Sequence, residues 1–247
     1  MNLSRTLHRG LPSIVLMVVV LFSVNACGGA SEPDPAPGVD LDDLLSRAGE
    51  NMAAMSTLKF NMVDVEESGA KFFGTTFKSM EAEVKAPDSF KMVVDVEAPG
   101  FGFVEIEMLA VGEQAFLKFS KDSPWNPLPL EEVPFNFAGL GLTLRDLLTT
   151  IKDGAVVTGR ESLGDFQTVV IEAELASDEL LSLINTADPG HDVDLTLWID
   201  EAESNLRRLR IAGRIYDDDA PETVRLLNIV GINAPVEIQI PDVGSGS

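Results

Sequence analysis

From Leu58 onward, apolar residues return at every second position, in runs broken by Pro, Gly and Asp. That period sends alternate side chains to opposite faces of a strand. Phe60 and Met62 alternate with Lys59 and Asn61. After Ala86-Pro87-Asp88, the residues Phe90, Met92, Val94 and Val96 share one face, with Lys91, Asp95 and Glu97 on the other. Past Ala98-Pro99-Gly100, Val104, Ile106 and Met108 alternate with Glu105 and Glu107. Past Val111-Gly112-Glu113, Ala115, Leu117 and Phe119 oppose Phe116 and Lys118. Such strands, joined by short turns and wet on one face, predict an antiparallel meander. Phe72 to Val84 reads as a further, less regular strand.

The same period returns later. Val169, Ile171, Ala173 and Leu175 alternate with Thr168, Glu172 and Glu174, and Val193, Leu195, Leu197 and Ile199 with Asp194, Thr196 and Asp200. Glu201 to Asn205 reads as a hairpin loop, with Leu209, Ile211 and Ile215 continuing beyond it. Asp217-Asp218-Asp219 reads as a solvated turn, and Val224–Val230 and Val236–Ile240 as closing strands. Two regions depart from this rhythm. Asp40 to Met55 places Leu41, Leu44, Leu45, Ala48, Met52 and Met55 on one helical face, with Asp40 as N-cap. Ser123 to Leu130 is too rich in proline for a central strand. Thr143-Leu144-Arg145-Asp146 resembles a capping box opening a helix that ends at Gly154, and Ser177 is placed to cap a short helix to about Asn185. The class is therefore β-rich α+β, with about nine to eleven antiparallel strands and two or three helices.

Several strands are apolar on both faces. Phe116 opposes Leu117, Val170 opposes Val169, and Trp198 opposes Leu197. Two or three helices cover few strands, so a curved sheet wrapping an apolar interior is expected. The interior candidates are Phe60, Met62, Phe90, Met92, Val94, Ile106, Met108, Leu117 and Phe119, although either strand face qualifies. The glycine-broken stretch carrying Phe135, Phe137, Leu140 and Leu142 is either a mobile wall or lid over that interior, or an ordinary packed loop.

The N-terminus sets the compartment. Arg5 and Arg9 precede the apolar run Leu11–Val24, and Val24-Asn25-Ala26 precedes Cys27, the only cysteine. This is the layout of a secretory signal, with an apolar run shorter than the roughly 20 residues of a membrane-spanning helix. A cysteine directly after the cleavage site fits a bacterial lipobox, whose thiol takes diacylglycerol and whose freed amine takes an acyl chain such as palmitate. A plain signal peptide or an uncleaved anchor are the alternatives. Residues 1–26 are thus expected to be signal, 27–39 a lipidated Cys and Pro/Gly tether, 40–242 one domain, and 243–247 a flexible tail. The body is then held at the extracytoplasmic face of a cell membrane. Without Arg5 and Arg9 the chain carries 16 basic and 40 acidic residues, net −24, which repels nucleic acid and anionic headgroups.

Catalytic patterns are nearly absent. His191, in His191-Asp192-Val193-Asp194, is the single histidine after the signal, and no nucleophile-elbow glycine pattern accompanies it. Neither Asp217-Asp218-Asp219 nor the Asp192/Asp194 pair has calcium-loop spacing, and the glycines form no phosphate-binding string. No enzyme, metal or cofactor is expected.

The order of these features resembles a known family. After signal, lipobox and tether come an opening helix ending before Ser56-Thr57-Leu58-Lys59-Phe60, a meander and a loop with Ser123-Pro124-Trp125. Then come Leu195-Thr196-Leu197-Trp198-Ile199-Asp200, Leu206-Arg207-Arg208-Leu209 and a closing Ala234-Pro235-Val236-Glu237-Ile238-Gln239-Ile240-Pro241. This resembles the LppX/LprAFG lipoproteins of mycobacteria and, more distantly, the LolA/LolB lipoprotein carriers. The resemblance implies a strongly curved, half-open antiparallel β-barrel with its helices on the concave side. It further implies an apolar cavity for the acyl chains of a lipid or glycolipid carried across the envelope, with a transporter or acceptor protein as a further partner. The alternative is a structural or sensory envelope module that binds a protein partner through the same fold. It predicts a filled core and an exposed apolar patch.

Overall fold

The alternating runs become twelve strands in the computed structural model, which describes residue 36 and residues 38–243. The expected signal, Cys27, most of the tether and residues 244–247 lie outside the described residues. The first half of the sheet comprises β1 (Thr57–Asp64), β2 (Lys71–Phe72), β3 (Thr75–Lys85), β4 (Ser89–Ala98), β5 (Gly102–Val111), β6 (Gln114–Lys118) and β7 (Asn126–Leu128). The second comprises β8 (Val156–Leu163), β9 (Phe166–Ala176), β10 (Asp192–Asp200), β11 (Leu206–Ala212) and β12 (Val224–Ile232). All pairings are antiparallel, in the order β7-β6-β5-β4-β3-β1-β12-β11-β10-β9-β8, with β2 attached to β3. The halves meet where β1 pairs β12, placing Met62 opposite Leu227. The sheet curves without closing and holds one apolar core on its concave side.

Burial follows the alternation. In β4, Phe90, Met92, Val94 and Val96 are buried while Asp95 and Glu97 are exposed. The helix α1 (Leu41–Ala53) begins at Asp40, whose side chain accepts from the Asp43 amide at 3.0 Å. It buries Leu44, Leu45, Ala48 and Met52 against the sheet, about 1.5–3 kcal/mol for each large side chain. The second helix, α2 (Leu140–Thr150), packs on α1. Gly141 sets that approach: a Cβ there would lie 2.2 Å from the Met52 carbonyl oxygen.

Four expectations are corrected, and one strand is added. The helix α2 starts three residues before Thr143, at Leu140, with Gly139 (φ 71°) as its N-cap residue and no side-chain cap. Close packing of Gly141 on α1 fixes the start, and Asp146 accepts from Arg145 Nε at 3.0 Å instead of reaching back. Val236–Ile240 forms no strand; Val224–Ile232 fills the place between β1 and β11. Ser177 does not cap: its hydroxyl bonds the Asp188 carbonyl at 2.8 Å and accepts from the His191 amide at 3.1 Å, ahead of a 3-10 turn ending at Ser182. The turn Asp217–Asp219 is only partly solvated, since Asp219 is 2% exposed. The strand β8 went unpredicted because its register shifts between Val157 and Gly159 and breaks the period.

Candidate functional site

The cavity lies between α2, the segment leading into it, and the concave face of the central strands. Phe60 and Met62 of β1, Met80 of β3, Leu209 and Ile211 of β11, and Leu227 and Ile229 of β12 form its sheet wall. Phe135, Phe137, Leu140 and Leu144 cover them, with Leu183 and Ile184 at one side. Every lining residue is apolar, Leu58 and Leu206 included. The cover is aromatic: the Phe137 ring lies 4.6 Å from Phe90, 5.5 Å from Phe135 and 6.3 Å from Phe60. Such ring pairs favour offset or tilted contact over a fixed hydrogen-bonded geometry.

The enclosed space is about 70 Å³. That equals the liquid volume of roughly two waters, far below the roughly 300–1,000 Å³ of a small-molecule pocket. An acyl chain therefore fits only if the cover moves. Larger hollows of about 450 and 470 Å³ lie on the outer strand faces, lined by charged residues such as Glu172, Glu174 and Asp194, or Lys59, Glu81 and Glu83. They are open furrows between rows of side chains, with charged residues in both linings.

Of the nine interior candidates, Phe60 and Met62 border the cavity. Phe90 touches it through Phe137, and Met92, Val94, Ile106 and Met108 are buried in the surrounding core. Leu117 is only partly buried, and Phe119 is 59% exposed. The alternation fails at Phe119 because β6 ends at Lys118 and the chain turns through Ser120–Ser123. Of the four cover candidates, Phe135, Phe137 and Leu140 line the cavity, while Leu142 points outward at 51% exposure. Sequence reasoning missed Leu209, Ile211, Leu227 and Ile229 as lining residues. Their alternation was visible; which half of the sheet faces the cover was not.

Buried polar clusters lie outside this apolar lining. Asp219 accepts from the amides of Lys71 (2.8 Å), Ile215 (2.9 Å) and Tyr216 (3.1 Å), and from Arg225 Nη2 at 2.6 Å. Tyr216 packs on the Arg225 guanidinium, and burial pushes its phenol above the usual range. Asp200 is 2% exposed, accepts from the Glu203 amide at 2.7 Å and pairs with Arg207 at 2.6 Å. Arg207 stacks on Phe166, while Arg208 lies over Trp198, whose Nε1 donates to Glu161 at 2.7 Å. The Trp-Ile-Asp and Leu-Arg-Arg segments thus fasten a hairpin. His191 Nε2 lies 2.9 Å from Asp217 on the surface, and the His191 amide donates to the Ser177 hydroxyl at 3.1 Å. Among the described residues, no three His, Cys, Asp or Glu side chains gather as a metal site, and no helix is long and apolar enough to cross a membrane.

No protein-family model matches the chain, and no curated protein matches it by sequence. Solved structures do match by shape. LprF from Mycobacterium bovis superposes with a TM-score of 0.61 at 16% identity, over 84% of this chain and 99% of that one. The Mycobacterium tuberculosis lipoprotein LppX superposes with a TM-score of 0.52 at 16% identity, over 81% of this chain and 98% of that one. The chain therefore has an LppX/LprF-like fold.

Proposed function

We propose that this chain is a membrane-anchored lipoprotein that binds the acyl chains of a lipid or glycolipid and carries or presents them across the cell envelope. The observation that carries the reading is the wholly apolar seam between the aromatic cover and the concave sheet. Each methylene buried there contributes about 0.8 kcal/mol, so ten would contribute about 8 kcal/mol before the cost of displacing the cover. The LppX/LprF-like fold supports the reading, as does Cys27 at the end of a signal-like segment. Lipidated at Cys27, the acidic body would stay at the membrane through its anchor rather than through charge. None of this requires covalent chemistry.

The test is native mass spectrometry, with lipid extraction, on the chain from Gly28 onward produced in a bacterial envelope. The expected result is a stoichiometric adduct of lipid mass that is lost on denaturation. A clean protein mass, with no uptake of added diacyl or triacyl lipid, sinks the reading. A second reading, docking of a protein partner, draws on the small size of the closed cavity and on exposed phenylalanines at one end of the sheet. In that case the core stays filled and the same experiment returns no lipid.

A further inference from the structure

Three phenylalanines stand out of the sheet at one end. Phe73, in the turn between β2 and β3, is 54% exposed, and Phe101 and Phe103, at the turn between β4 and β5, are 86% and 79% exposed. The register places both turns at the same end: Thr76 pairs with Glu97, and Glu97 with Phe103. Glycines shape the tips. Gly74, Gly100 and Gly102 all have positive φ and nothing near their Cβ positions, so these turns project into open space. At the edge of the rim, Lys78 Nζ sits 6.0 Å from the Phe103 ring and pairs with Glu67 and Glu97.

The rim is continuous with the cavity. The Phe73 ring meets Phe72 edge-on at 4.8 Å, and Phe72 stacks on Phe135 at 6.1 Å. Phe135 meets Phe137 at 5.5 Å, and Phe137 meets Phe60 and Phe90 on the sheet wall. An unbroken line of rings thus runs from Phe73, at one exposed turn tip, to the space beneath the cover. We propose that the Phe73, Phe101 and Phe103 rim dips into a lipid bilayer and is the portal through which acyl chains pass along this aromatic line into the cavity. The inference rests on the lipid-binding reading and adds to it a place and a direction.

A bilayer fits this rim better than a protein does. Phenylalanines bury about 150–250 Å² each, so the exposed parts of the three offer roughly 400 Å². A stable protein interface takes about 800 Å² from each partner, usually as a flat patch rather than separate tips. Aromatic rings on projecting turns, with a lysine stem beside them, suit the boundary between headgroups and acyl chains. The acidic body adds a sign: contact with a zwitterionic surface should exceed contact with an anionic one.

The test uses the mature, anchored protein in phosphatidylcholine vesicles that contain a photoactivatable diacyl phospholipid. Crosslinked peptides are mapped for the wild type and for a F73S/F101S/F103S variant, whose changes lie at exposed positions and leave Phe72 in place. The wild type is expected to crosslink at the rim and at the cavity peptides carrying Phe137 and Leu227. The variant is expected to lose at least tenfold of the cavity adduct from vesicles, and to keep it when a short-chain lipid is supplied as monomer. Equal cavity adduct from vesicles in both proteins overturns the portal and leaves lipid binding standing. So does a rim that meets no lipid and instead holds a second copy or another protein. No cavity adduct from either source removes the lipid-binding reading itself, and the portal with it.

Discussion

The cover and the Asp219 corner are both buried, but they are held by different physics. The cover is held mainly by rings and aliphatic side chains, with hydrogen bonds from the Asn136, Gly139 and Asn185 amides to the Leu183, Pro87 and Pro134 carbonyls and from the Asn136 and Asn185 side chains to the Ser182 and Val133 carbonyls. The corner is held by four directional bonds to one buried carboxylate, one of them from a guanidinium whose ion pair is 0–3% exposed. Apolar contacts are non-directional, so an acyl chain can replace those that a ring gives up. Buried ionic hydrogen bonds have no such substitute, because a lost partner leaves a desolvated charge. Under the proposed function, the difference separates a part that opens to admit an acyl chain from one that stays shut.

The largest effect that would break this comparison is expected at the corner. Asp219→Ala leaves the Arg225 guanidinium buried without its carboxylate and frees three amides. It is expected to lower the unfolding free energy by about 3–5 kcal/mol, read from urea denaturation. A loss under about 1 kcal/mol would mean that the corner is as replaceable as the cover.

A smaller effect is expected at the cover. Phe→Ala in a rigid core costs about 3–5 kcal/mol, because the walls relax only partly. If the cover moves, Phe137→Ala should cost less, about 2 kcal/mol, since neighbouring rings can settle into the space. Its lipid uptake should hold or rise while its stability falls. A full core penalty together with lost uptake would make the cover part of a fixed core and would favour the protein-partner reading.

The cover was only partly legible in the residues. Phe135, Phe137 and Leu140 stood in an apolar run broken by glycine that read as either a lid or an ordinary packed loop, and the structure places all three on the cavity. The corner was misread. Three consecutive aspartates look solvated, and the arginine that buries Asp219 lies six residues away on the next strand. The antiparallel order, the opening helix and the hairpin at Asp200 follow from local patterning. The partners of β12 do not: whether Val224–Ile232 or Val236–Ile240 took the place beside β1 depends on a pairing more than 150 residues apart. Phe101 and Phe103 were passed over because a turn residue's exposure depends on which strands surround it.

The smallest expected effect is at Thr143, and there its sign is the informative part. If Thr143 capped a helix through its hydroxyl, Thr143→Ala would cost about 1 kcal/mol. In the structure Thr143 lies within the first turns of α2, its amide bonded to the Gly139 carbonyl at 3.1 Å, and the helix has no side-chain cap. Alanine forms helix better than threonine by up to about 0.7 kcal/mol, so the substitution should be neutral or stabilising by a few tenths. A chemical-denaturation midpoint that rises slightly or holds supports a helix whose start is set by Gly139 and by the contact of Gly141 with α1. A clear fall would move that start to Thr143 and free Leu140–Leu142 from the helix. The cover would then be a longer flexible loop, opening by local unfolding rather than by the movement of a packed helix.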